Sequence, residues 1–225
     1  MKFLGFYPET IAARVRAGAA PPRLPTLGQS LGFGAGGFCL VMVVIVLATA
    51  AVADSFLKKY LGDKWIYGFD ALLFILLGGG IFRRLIIAPP VVRVYILFAA
   101  GFFLYEAAWV AANRPFRNVL GEWLGSLAGG TGLALALATV FDAPKQTVKV
   151  ILVVCVTSAA GYFGGKFLQP YIPGIVGGLV WGAAYGTGLG TGLGYALYAC
   201  QEPARQRLKT LSASGAKASA SRPVS

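Results

Sequence analysis

Three carboxylates stand where carboxylates are costly. Asp70, Glu106 and Glu122 each fall inside a stretch that is otherwise almost wholly apolar. A charged side chain at the centre of a bilayer costs about 2.5–3.5 kcal/mol on insertion scales, so such a group is paired, sits at the interface, or works. Glu106 is the deepest of the three, flanked by Phe102, Phe103, Tyr105 and Trp109. Asp70 lies near the start of its apolar run and Glu122 near the start of another. Helix direction brings all three to within a few turns of one membrane face. The chemistry open to them is binding of a cation or proton. The alternatives are ion pairs with Lys59, Lys64, Arg114 or Lys166, or an interfacial position for Asp70 and Glu122. A catalytic carboxylate pair has the least support, since no nucleophile motif or Gly-rich strand-to-helix turn accompanies them.

The rest of the side-chain inventory narrows the chemistry further. The chain has no histidine, which removes the commonest general base and transition-metal ligand. HExxH zinc sites, His-ligated haem and Ser-His-Asp triads are excluded. Cys39, Cys155 and Cys200 lie far apart with no CxxC spacing and read as small apolar packing residues. No transporter fingerprint, channel filter or rhomboid-type serine motif is present. Neither a cofactor nor a metal is expected, and an enzyme is the less expected outcome.

The strongest pattern is made of glycine. Gly174, Gly178, Gly182, Gly186, Gly190 and Gly194 recur every fourth residue, widened by Gly177, Gly188 and Gly192. Gly121, Gly125 and Gly129 form a second stripe, and Thr157, Gly161 and Gly165 a third. Steps of four stay on one slowly drifting helix face. In lipid, close backbone approach through small residues holds helices together, so these stripes are expected to be helix-packing seams, the last helix lying against the fourth or fifth span. A backbone-lined groove is the functional alternative. The tetrapeptide Gly-Thr-Gly-Leu occurs at 130–133, 186–189 and 190–193, but the upstream tryptophans Trp123 and Trp181 stand at different offsets. The register of a duplicated three-span unit therefore fails.

The elements that must carry these residues are apolar runs of membrane-crossing length. Of 225 residues 57% are hydrophobic and only 12% charged, and mean hydropathy is +0.71. A soluble domain carries about a quarter charged residues. Six runs, about Gly32–Ala53, Trp65–Phe82, Val91–Ala112, Val119–Phe141, Val148–Leu168 and Pro173–Cys200, predict a six-span all-α transmembrane bundle. Ala51-Val52-Ala53 before Asp54 resembles a signal-peptidase site, but the long basic region ahead of it and the full-length apolar run argue for a retained span. Residues 1–31 form a basic leader, solvated or partly helical on the membrane surface. Residues 201–225, basic and rich in Ala and Ser, are expected to be a disordered tail.

Net charge is +12, and the charges sit at the ends of the runs. This pattern fits lipid headgroups rather than nucleic acid, which is not an expected partner. Fourteen Lys and Arg fall on the side of the leader and tail against six on the other, which predicts cytoplasmic termini, in a bacterial inner membrane. A second membrane protein or a further copy of the chain is a possible partner. Two functions are open: a small transporter or channel using Glu106, Asp70 and Glu122, or a non-catalytic membrane subunit that binds partners through its helix faces.

Overall fold

The computed structural model describes residues 4–17, 24–53 and 63–220, and within these the regular elements are all helical. Helix α1 spans Pro8–Arg16 and α2 spans Leu27–Ala53. Helix α3 has three parts: an α-helical stretch Asp63–Leu73, a π turn Phe74–Gly78 and a last α-helical stretch Gly79–Arg84. Then come α4 (Val91–Asn113), α5 (Val119–Val140), α6 (Thr147–Leu168), α7 (Gly174–Cys200) and α8 (Glu202–Ala220). The Pro21–Pro22 stretch of the leader, the Asp54 cleavage position, Lys58 and Lys59 lie outside the described residues.

Five segments, Leu27–Ala51, Trp65–Arg84, Val91–Asn113, Val119–Val140 and Pro144–Tyr171, are long and apolar enough to cross a membrane. The chain is an all-α, multi-pass membrane protein. The sixth apolar run is helix α7, whose 27 residues extend about 40 Å. Its nine glycines, with several Thr and Tyr, leave it less apolar than the other five. Its position accounts for this: between Gly177 and Cys200 only Thr187 is exposed, so most of α7 faces protein rather than lipid.

Local sequence starts these helices. Thr26 Oγ1 accepts from the Gln29 N–H at 3.2 Å and Gln29 Oε1 accepts from the Thr26 N–H at 3.0 Å, a reciprocal cap at the head of α2. Asn118 caps α5 by accepting from the Gly121 N–H at 3.1 Å. At the head of α7, Gly174 has φ +64° after Pro173, a left-handed turn that a Cβ would strain.

The membrane helices form a closed ring. Helix α2 packs on α7, α7 on α6, α6 on α5, α5 on α4, α4 on α3, and α3 back on α2. Helix α7 therefore lies between the first and fifth spans and touches the fourth, α5, only lightly. Three stripes on α7 explain this placement. Cβ atoms added at Gly186, Gly190 and Gly194 would meet the backbone carbonyls of Phe38, Gly34 and Ser30 on α2. One added at Gly188 would meet the Thr157 carbonyl on α6, and one at Gly192 the Cα of Val154 at 3.1 Å. The third stripe, Trp181, Tyr185, Leu189 and Leu193, faces the interior of the ring. The head of the glycine stripe behaves differently: Gly174 has open space at its Cβ position, and Gly178 would meet only Val46, at 3.4 Å. In α5, Gly121, Gly125 and Gly129 lie against Asn113, Trp109 and Tyr105 of α4.

A second layer closes the end of the bundle that carries both terminal helices. The tail, expected to be disordered, instead folds as α8 at its start and packs on α1. Ile11, Ile87, Ala204 and Leu208 form a small core there, and Glu9 pairs with Arg207 at 2.5 Å. The physical reason is amphipathy: Ala204, Leu208 and Leu211 recur at helical spacing. The leader is anchored too, with Phe6 buried against Phe141 at 5.3 Å. The Arg14 guanidinium donates to the Ala88 carbonyl at 2.7 Å and to the Gly5 carbonyl at 2.6 Å. Burial and the neighbouring Arg93 charge lower its pKa. Gln201, 1% exposed, accepts from the Ile87 N–H at 2.7 Å and donates to the Leu85 carbonyl at 2.9 Å.

Two outcomes follow for stability in detergent. Gly190→Ala should lose about 1–3 kcal/mol by overpacking, while Gly36→Ala, with open space at its Cβ position, should be neutral or gain up to about 1 kcal/mol. Gln201→Leu keeps the volume but strands the Ile87 N–H and Leu85 carbonyl, and should cost about 1–3 kcal/mol. Thermal unfolding midpoints of the three variants against the parent check both statements.

Candidate solute site

The ring encloses a cavity of about 990 Å³ between α2, α3, α4, α5 and α7. Helix α6 stands behind α5 and α7 and contributes no wall residue. On the α7 side the wall is the stripe Trp181, Tyr185, Leu189 and Leu193; on the opposite side it is Leu97, Phe98, Gly101, Phe102 and Tyr105 of α4. Tyr67, Gln169 and Gly174 line its outer part and are exposed, so the cavity opens at the end away from the two terminal helices. Inward it reaches Phe82, Leu137 and Leu193, where polar groups give way to aliphatic and aromatic ones.

Two of the three carboxylates belong to this cavity. Glu106 is in its wall and has neither a hydrogen-bond nor an ion-pair partner among the described residues. It lies within electrostatic reach of Tyr105 and Tyr185, whose hydroxyls face each other across the ring at 3.3 Å, Tyr185 donating. Phe102 and Phe103 share the cavity side of α4 with Glu106. Trp109, three residues after Glu106, is turned instead toward Gly125 of α5. Asp70 enters the cavity from α3. Its Oδ1 is 2.6 Å from the Thr49 hydroxyl, which is also 2.8 Å from the Ile45 carbonyl. A hydroxyl has one proton to give. Ionised Asp70 takes it; protonated Asp70 donates to Thr49 and leaves the hydroxyl for Ile45. The contact thus accommodates both charge states with one rotation.

Glu122 is not part of the cavity. It forms an ion pair with Lys166 across α5 and α6, the ammonium donating to both carboxylate oxygens, one at 2.6 Å. The ring order explains the separation: α6 lies outside the cavity-forming helices, and Trp123 stacks on Phe163 at 3.8 Å beside the same seam. Glu122 and Lys166 therefore answer each other's charge. Of the other candidate partners, Arg114 is exposed and forms no ion pair with a described residue, and Lys59 and the side chain of Lys64 lie outside the described residues.

Sequence reasoning missed Thr49, Tyr105, Tyr185 and Trp181 as site residues. For α7 a signal existed in the four-residue repeat of Trp181, Tyr185, Leu189 and Leu193, set one residue ahead of the glycine stripe. Thr49 carried none, because its role depends on α3 lying beside α2. The wall contains no Lys or Arg among the described residues. The chemistry available is therefore acceptance of positive charge or of a proton in an aromatic setting.

Removing the Glu122 charge should leave the cavity intact. Glu122→Gln should cost less than about 1 kcal/mol, because the Lys166 side chain is 43% exposed and solvent screens such pairs. Unfolding midpoints at low and high salt check it, the difference from the parent shrinking at high salt. In comparisons with known proteins, no family model matches the chain, and no curated protein or solved structure matches it either.

Proposed function

We propose that this protein is a small transporter or channel for a small solute or cation, with six spans and both termini in the cytoplasm of a bacterium. Glu106 is its binding or coupling group, Asp70 assists it, and Glu122 is structural. The observation that carries the reading is a carboxylate without a partner among the described residues, in the wall of a central cavity. A carboxylate kept there at the usual intramembrane cost needs a counter-charge, and a passing solute or proton supplies one. Several features support the topology. Helix α7 has the length to be the sixth span, α1 and α8 meet at one end, and Lys and Arg are concentrated on that end. The glycine stripes serve as packing seams in this reading, not as a pore lining.

A specific feature also favours a second reading, a non-catalytic membrane subunit. The α1–α8 layer sets basic side chains such as Arg16, Arg207 and Lys209 on the surface of one end, a platform for a partner protein.

Proteoliposomes holding a trapped pH dye and challenged with gradients of small cations and amines separate the two. The parent should dissipate at least one gradient, and Glu106→Gln should abolish that flux while its size-exclusion profile stays unchanged. Absence of flux together with a stoichiometric co-purifying protein would establish the subunit reading instead. Cysteine placed at Arg117 should react with an impermeant maleimide from outside the cell; labelling only after lysis would reverse the orientation.

A further inference from the structure

We propose that the cavity is built for a lipophilic organic cation, a molecule with one positive centre and several rings or a bulky apolar body. This inference rests on reading the cavity as a solute site. Three observations point to the class. First, the wall contributes two acidic groups, Glu106 and Asp70, and no basic one among the described residues, so a neutral or anionic occupant would leave the charge unanswered. Second, the cavity of about 990 Å³ is far larger than a bare ion needs and sits at the upper end for drug-sized ligands. Third, its surface is apolar and aromatic. Phe74 lies 5.5 Å from Phe98 and 5.1 Å from Phe102 by ring centroids, and Trp181 stacks on Tyr185 at 5.8 Å.

These aromatic faces present negative quadrupoles that attract a cation, most strongly when it is desolvated. An inorganic ion would gain little here. It would have to replace its water shell with oxygen ligands, and among the described residues no three His, Cys, Asp or Glu side chains converge. An organic cation needs no such shell. Its charge is met by Glu106 and Asp70, and its body fills the apolar depth toward Phe82 and Leu193.

The test uses the full chain in detergent and three probes with similar phenyl bodies: tetraphenylphosphonium, neutral triphenylmethanol and anionic tetraphenylborate. Binding is read by equilibrium dialysis against protein-free micelles. Tetraphenylphosphonium should bind saturably, with the other two at least about tenfold weaker. Glu106→Gln and Asp70→Asn should each weaken phosphonium binding by about tenfold or more, and triphenylmethanol should bind these variants at least as well as the parent, showing a formed cavity. Lys166→Gln should change nothing. If triphenylmethanol or tetraphenylborate binds the parent as tightly as the phosphonium, the cation class falls and the solute site stands. If a folded Glu106→Gln and a folded Asp70→Asn both bind the phosphonium unchanged, the inference is overturned. If no probe binds, it falls with the site. If the phosphonium binds but proteoliposomes show no flux, transport falls and this inference remains.

Discussion

The backbone of α7 meets those of α2 and α6 without side chains between them, and the rest of the structure depends on that approach. Lipid tails are as apolar as leucine, so burying apolar surface between helices gains little in a bilayer. What remains is dispersion contact, which is strong only where backbones come close. Gly34 and Gly190 are each within the space that a Cβ on the other would fill, and the same holds for Gly161 and Gly188. With α7 fixed on both flanks, only one side of it is left free to carry large groups.

That remaining side makes the cavity. Its stripe of Trp181, Tyr185, Leu189 and Leu193 cannot approach α4 as the glycines approach α2, and the Tyr185 and Tyr105 hydroxyls meet between the two helices. Helix α4 is held at a distance because it is committed elsewhere, packed on the Gly121, Gly125 and Gly129 stripe of α5. The ring thus combines tight and wide contacts. Small-residue seams define its circumference, and aromatic residues fill the interior incompletely, leaving space that Glu106 and Asp70 reach.

The helical class and the extent of the long helices were legible because apolar runs of membrane length have few other solutions. Glu106 and Asp70 stood out by cost alone, a charge among apolar neighbours. What could not be read was adjacency. Nothing in the sequence says that α3 lies beside α2, so Thr49 carried no signal, and nothing placed α6 behind α5, so Glu122 looked equivalent to Asp70. The tail misled for a different reason. Ala, Ser and Lys together suggest disorder, whereas a sparse stripe of Ala204, Leu208 and Leu211 suffices for a helix that has α1 and Ile87 to lean on.

The π turn in α3 also sets how the chain is to be aligned with any other. On an unbroken α-helix, positions twelve apart, such as Asp70 and Phe82, point about 120° away from each other. A π turn holds one more residue than the α-helical turn it replaces. With that residue absorbed, the pair differs by only about 20°, and both line the same cavity. A descendant that lost one residue between Phe74 and Gly78 would regain a regular helix with its two ends still in register, the flanking pair then standing eleven apart and about 20° from each other. A single-residue gap in this segment therefore exchanges the π turn for an α-helical one and leaves the cavity face of α3 intact.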